Sequence, residues 1–546
     1  MKKALTFFDN NILLILTLAF LIFIPLYPKF PLIAIPDTYI SIRLEDFLTA
    51  LMTAIYGIQI LRKKINVPKS YLKYFILFWL AVFISYVWGA FVSHTVQFPK
   101  IGFLHAARRI QYMVPFFLAF SAVSHSLSHS KDLRTQLSKY FTTISWVVFV
   151  VCLYAIGQKS SAAFQPVRDF FENIYKTNSL PIIRDVAYFF FRFFDFPAVQ
   201  TMNSEFAKGF LLNLTPESRV SSTFAGHYDL AAYLVFFIPI IAAFIISKRS
   251  RILNWLTYIA SILTLILTAS RASFAAFGVS IGIYLLYTRK WKMLFATVLI
   301  TLMLMFLNKD MTDRFKDMFQ KKRVFQNVQT GALIIDQDIS AENLPAGTQF
   351  ISEGQATKVE VNKEDTQKLK DQLIKKEVEE AKKSGKEISQ EEAARLVDDK
   401  YKALTQFVAR DVIAGDTSLA TRTQVEWPRA VRSFLSNPLF GTGVSSITES
   451  TDGDFFRLIG ETGILGSAIF MFIIISFVKI VFDTTQKHKE FSIIGLSYIA
   501  GIIALLANAV LIDVFEASKV AFIFWTVSGI FLAVSENLRH SHLKKA

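Results

Sequence analysis

Residues 422–466, RTQVEWPRAVRSFLSNPLFGTGVSSITESTDGDFFRLIGETGILG, run directly into the apolar stretch 464–479, ILGSAIFMFIIISFVK. That junction decides how the chain is read. An apolar helix over 464–479 belongs in lipid, so the arginines, carboxylates and glycines before it lie at a membrane surface. Polar groups at such an edge are costly to desolvate and point to function. The glycines at 441, 443, 460, 463 and 466 permit tight turns or close approach of backbone to a ligand, although small residues also serve helix packing in membranes.

Working outward, the whole chain repeats this character. It is 53% hydrophobic and 14% aromatic, with Phe at 54 of 546 positions, too apolar for one soluble core. A crossing helix needs about 20 apolar residues. Twelve stretches qualify as candidates: 11–27, 44–61, 71–93, 103–123, 139–157, 228–247, 252–269, 272–287, 292–308, 464–480, 491–512 and 519–535. The expected fold class is an all-α polytopic membrane protein with about 12 transmembrane helices. Lys2 and Lys3 precede the first stretch as in a signal peptide, but no small-residue cleavage site follows, so it reads as a retained span.

The net charge of +16 does not call for nucleic acid, because the basic residues fall in short loops between spans. Arg62, Lys63, Lys64, Lys131, Arg134, Lys248, Arg249, Arg289, Lys290, Lys487, Lys489, Arg539 and Lys544 all lie on one side of the alternating topology. The short loops of the other side hold only Lys29, Arg43, Lys100 and Arg271. Cytoplasmic loops carry the excess of Lys and Arg, which puts both termini in the cytoplasm. The expected organisation is spans 1–5 in 1–157, an external loop in 158–227, spans 6–9 in 228–308, a large external segment in 309–463, and spans 10–12 with a tail in 464–546. The single cysteine, Cys152, lies within a span and excludes an intrachain disulfide framework or thiolate cluster.

The loop 158–227 contains 184–195, RDVAYFFFRFFD, an aromatic run with intermittent charges. That pattern suits a helix lying in the interface, or equally a loop packed on the bundle. Its end, 219–229, RVSSTFAGHYD, brings Arg219, His227 and Asp229 to the outer mouth of span six. Spans seven and eight are joined by 268–273, TASRAS, a turn so short that Arg271 sits at the membrane edge. An arginine there is expensive unless paired or aimed at an anion, and the bland alternative is snorkelling to lipid phosphate. Arg108 and Arg109 pose the same choice and read as structural.

In the large external segment, 331–353 has apolar β-formers broken by Pro345 and Gly347, consistent with short strands or a loop. The insert 357–402 carries 12 basic and 12 acidic residues and capping-type starts at Asn362 and Ser389, so it reads as two solvated helices. It is a candidate lid, or a docking site for an envelope-assembly protein.

An arginine before span six, a Ser-Arg turn between spans seven and eight, and a long external segment ending in NPLFGTG and ETGILG form a set over about residues 210–480. As a set it resembles the O-antigen ligase and polysaccharide polymerase superfamily. The resemblance implies a glycosyltransferase that moves a glycan from a polyprenyl-diphosphate carrier to a glycan or lipid acceptor hydroxyl, on the outer face of a bacterial-type plasma membrane. Arg219, Arg271 and Arg422 match the family's basic positions and would bind the diphosphate, since guanidinium forks hold phosphate oxygens bidentately. Such a clamp can stabilise the leaving group without a metal, and no cofactor is expected. Where ligases of the family have a histidine upstream of their GxxG, this chain has Asp452 followed by Gly453. That departure favours a polymerase over a ligase.

The general base is then sought among Asp452, Asp454, Glu461 and His227. Arg457 and Glu461 stand at i,i+4 spacing, which also fits a salt-bridged helix start. The competing class is a transporter or flippase of lipid-linked glycans, for which internal repeats and broken mid-membrane helices would be expected. No repeat is evident in the sequence.

Overall fold

The computed structural model describes residues 2–36, 38, 40–129, 133–200, 210–214, 218–247, 252–306, 321–327, 333–335, 407–413, 422–447 and 452–543, with isolated positions between 371 and 394. The chain divides into two compact units, 1–312 with 430–546, and 313–429.

The first unit is helical. Its long elements are α1 (Lys2–Leu26), α2 (Leu44–Leu61), α3 (Lys69–Val87), α4 (Pro99–His129) and α5 (Leu133–Lys159), then the shorter α6 (Gln165–Thr177) and α7 (Pro181–Phe194). There follow α8 (His227–Ile246), α9 (Ile252–Leu267), α10 (Arg271–Tyr287) and α11 (Trp291–Phe306). The division between units falls inside α12 (Trp427–Ser436), and α13 (Asp454–Lys487), α14 (Lys489–Ala509) and α15 (Ser518–Leu543) complete the unit. Eight of these helices are long and apolar enough to cross a membrane, and the shorter apolar helices Asn11–Leu26, Ile252–Leu267, Arg271–Tyr287 and Trp291–Phe306 coincide with the other four expected stretches.

Packing sorts the helices into inner and outer ones. The apolar window of α15 is wholly buried and that of α8 is 89% buried, whereas α2 and α13 bury 28% and 33%. α15 lies along α4, α14 along α8 and α10, and α13 along α3. The outward faces remain apolar, with Leu51 and Ile58 on α2, Leu77 and Leu80 on α3, Phe295 and Met303 on α11, and Phe472 and Ile475 on α13 all exposed. A soluble surface does not carry apolar area on that scale, so these faces mark a membrane protein.

Three observations align the helix ends. Ser280 Oγ of α10 donates to the carbonyl of Ala500 on α14 (2.7 Å), and Phe236 of α8 meets the adjoining Gly501. Ser280 and Phe236 each lie nine positions into their helices, so the N-termini of α8 and α10 stand at one level. Buried Lys519, at the start of α15, donates to the carbonyl of Thr223 just before α8 (2.7 Å) and to that of Pro25 at the end of α1 (3.2 Å). At the opposite end, Arg62 holds Asp9 through two bonds (2.6 and 2.8 Å), and Tyr71 donates to Glu536 (2.8 Å).

Two small antiparallel hairpins decorate the first end: β1 (Pro31–Ala34) with β2 (Ser41–Arg43), and β3 (Ala198–Gln200) with β4 (Phe210–Leu212). The second unit contains a three-stranded antiparallel sheet in the order β6 (Leu333–Ile335), β5 (Lys321–Asn327), β7 (Phe407–Ile413). Short strands or a loop were expected within 331–353, where β6 lies, and no strand was expected at β5 or β7. The expected helical pair of 357–402 lies outside the described residues apart from isolated positions. No sheet described is closed.

Candidate active site

The apolar helix expected to begin near 464 does begin there, and a short polar helix over 454–462 leads into it. The two meet within α13 at a kink at Gly463, where φ is 62° and ψ is −163°. That conformation suits only glycine, and a Cβ there would strike the carbonyl of Leu439 and the amide of Gly441. The bend frees backbone groups on both sides, and the NPLFGTG turn takes them up. Thr442 N and Gly443 N donate to the carbonyls of Gly460 and Glu461 (both 3.0 Å), while Ile464 N and Leu465 N donate to Pro438 and Leu439 (2.8 and 3.3 Å). The two glycine motifs of the sequence are thus two halves of one joint, which also satisfies otherwise orphaned buried backbone.

The joint presents a run of charged side chains. Glu461, 3% exposed, receives Arg109 Nη2 at Oε2 (2.5 Å) and the Ser445 amide at Oε1 (3.0 Å). The same Arg109 Nη2 bonds Glu516, whose other oxygen takes Arg457 Nη1 (2.9 Å). Arg457 also reaches Asp513 (2.9 Å), and Asp513 accepts from the Gly453 amide (3.1 Å). Asp454 Oδ2 caps the turn before α15 by accepting from Val514 N (2.6 Å) and Phe515 N (3.0 Å). Beside this run, Ser445 Oγ and His105 Nδ1 are 2.6 Å apart, with Ser445 held at φ 66°, a strained conformation for serine.

The two carboxyls of the turn before α15 are driven apart. Burial raises Asp513 well above its ordinary range, helped by Asp454, Glu516 and Asp452 against the pull of Arg457. For Glu516 burial pushes upward as well, but Arg109 and Arg457 overcome it and hold the group at about 2. Carboxyls separated in this way by their surroundings can serve one as acid and the other as permanent anion.

Of the expected site residues, Asp454 and Glu461 come together in this run, and Asp452 stands at its edge, half-buried, beside Gly453. Arg457 and Glu461 form their ion pairs with Asp513, Glu516 and Arg109 on other elements. Arg219 and His227 form a separate pair at the start of α8, Nη1 to Nε2 at 2.8 Å. Guanidinium only donates, so Nε2 spends its lone pair on Arg219, which weakens His227 as a base. Asp229 is turned to Lys29 (3.8 Å), whose ammonium burial drives downward in pKa against the attraction of Asp229.

Arg271 is the first residue of α10, after Ser270, whose Oγ caps the helix at Ser273 N (3.5 Å). Arg422 is buried within the second unit. Sequence reasoning did not single out His105, Ser445, Asp513 or Glu516, and it read Arg109 as merely structural. The available signal was the pair of carboxylates in the short connection before the last span. The chain matches no protein-family model, and no curated protein is found similar to it.

Proposed function

We propose that the protein is a membrane glycosyltransferase of the O-antigen ligase and polymerase kind, moving a glycan from a polyprenyl-diphosphate carrier to an acceptor hydroxyl. In this reading all twelve apolar helices span, both termini are cytoplasmic, and the end bearing Arg219, Arg271 and the Glu461 run faces outward. α6 and α7 lie in the outer interface.

The observation that carries the reading is the placing of Arg219 and Arg271 at the level N-terminal ends of α8 and α10. A guanidinium opposes the positive pole of a helix N-terminus unless an anion sits between them. Two such ends at one level suit a diphosphate, which carries its charge where a lipid tail can still run along the apolar helices. Loss of the carrier diphosphate is then eased by cations already in place, without reorganisation. The carboxylates of the Glu461 run serve the acceptor side, with Asp452 and Asp454 as the residues to receive its proton.

The test is transfer in proteoliposomes supplied with a polyprenyl-diphosphate glycan, comparing the unmodified chain with Arg271→Ala, Arg219→Ala and Asp452→Asn. Lengthened carrier-linked products, lost at least tenfold in the arginine variants, support a polymerase. Single transfer to another acceptor makes the protein a ligase. Movement of labelled carrier across the bilayer without transfer replaces the enzyme by a transporter.

A further inference from the structure

A cavity of about 30 Å³ lies against the charged run, bordered by Arg109, Asp454 and Glu516 on one hand and by rings that include Tyr112, Phe515 and Trp525 on the other. Asp454 is 6% exposed and Arg109 8%. Among the described residues, Asp454 Oδ1 and Arg109 Nη1 have no hydrogen-bond partner in the protein, although Asp454 Oδ2 and Arg109 Nη2 each make two bonds. A buried acceptor and a buried donor left unpaired on two residues that line one cavity are each costly, and native proteins satisfy such groups with something bound.

Chemistry narrows what that is. An anion would accept from Arg109 but meet Asp454 and Glu516. An ammonium would suit Asp454 but meet Arg109. A hydroxyl is neutral, accepts from a guanidinium and donates to a carboxylate with the same oxygen. The volume agrees, since a water needs about 10–15 Å³ by this measure. A hydroxyl or hydroxymethyl group fits and a sugar ring does not.

We propose that this cavity is the seat of one alcohol hydroxyl, bound between Arg109 Nη1 and Asp454 Oδ1 and held by water when no alcohol is present. Resting on the transferase reading, that alcohol is the glycan acceptor, and the seat selects which of its hydroxyls is presented. The acceptor site is thereby separate from the arginines assigned to the carrier.

Two measurements test it on the full chain in lipid nanodiscs. An experimental map fine enough to show water is expected to hold a peak within hydrogen-bond distance of both atoms, and to lose it in Asp454→Asn. A direct Asp454–Arg109 pair in place of the peak overturns the seat. In the transfer assay, with carrier-linked donor saturating and an alkyl glucoside titrated as acceptor, Leu458→Phe narrows the cavity without altering charge. The acceptor KM should rise at least tenfold with the donor KM unchanged, and Leu458→Ala, which cannot block the cavity, should leave the acceptor KM within about twofold of the unmodified chain. Equal change in both constants, or none, overturns the proposal. A peak found in a chain that transfers no glycan keeps the seat and discards the transferase reading.

Discussion

Arg109 holds two carboxylates of different helices and segments with one nitrogen, Glu461 on α13 and Glu516 before α15. Removing it leaves both acids without their shared cation, an arrangement that costs about 3–5 kcal/mol when the groups are buried. Arg109→Leu should therefore lower the thermal midpoint in detergent markedly, while Glu461→Gln, which keeps an amide in place of the carboxylate, should lower it less. An equal effect would show that the charge of Glu461 carries the interaction, since Gln keeps the size of the side chain. Acid gives a second test. Glu516 sits at about 2 in the folded protein against an ordinary 4.5. A depressed carboxyl contributes stability above its unfolded value and loses it as pH falls through the folded one, here between about 4.5 and 2. Asp513, shifted the opposite way, favours the folded state at low pH and so masks part of the loss. The difference between the unmodified chain and Glu516→Gln isolates the first contribution: the stability gap between them should narrow steadily from pH 5 to pH 2. A gap independent of pH would refute the shift.

At the scale of elements, the bend of α13 and the hairpin of α6 and α7 make separate claims. Gly463 adopts a conformation that alanine reaches only with strain, and a methyl there meets Leu439 and Gly441. Gly463→Ala should cost roughly 1–3 kcal/mol and loosen the NPLFGTG turn, seen as faster amide exchange at Thr442 and Gly443. Unchanged exchange would mean that the turn is held elsewhere. On α7, Ile182, Val186, Phe189 and Phe193 are exposed at helical spacing, while Arg192 is tied to Asp195 (3.0 Å) and Arg168 of α6 reaches the same acid (3.2 Å). Arg192 is thus paired beside an open apolar stripe, the arrangement of a helix that lies in an interface. A tryptophan at Phe189, read against a variant lacking the native tryptophans nearest it, should be quenched by lipids brominated near the headgroup and little by lipids brominated at the chain ends. The reverse pattern would place α7 across the bilayer.

For the whole molecule, the single cysteine becomes an advantage. Cys152 is wholly buried against Ser261, so an impermeant thiol reagent should label the unmodified chain weakly. In the proposed topology, Gln97→Cys should be labelled from outside intact cells and Gln486→Cys only after lysis. Labelling of both from one side would overturn the assignment of the two ends. Deleting 357–402 is expected to leave transfer intact, because Arg219, Arg271 and the carboxylates of the Glu461 run belong to the helical unit. Loss of transfer with an unchanged thermal midpoint would give the insert a part in the reaction.

The positions of the apolar helices, the small residues of the two glycine motifs and the polar edge before α13 were legible from the chain alone, because hydropathy and backbone freedom are local properties. The polar helix over 454–462 that leads into the apolar part of α13 stayed open in the sequence, since that stretch is too polar to register as part of a span and its charges are met by other segments. Which charges meet was equally hidden. Arg457 and Glu461 stand four residues apart and invite pairing, yet Arg109, Asp513 and Glu516 arrive from positions up to 407 residues apart in sequence and claim them. Ion pairs follow spatial neighbourhood, and neighbourhood at the mouth is set by how α4, α13 and α15 pack. Sequence determined that this is a helical membrane protein with polar chemistry at one edge, while the tertiary structure alone decided which groups share that edge, because only packing brings distant charges out of water together.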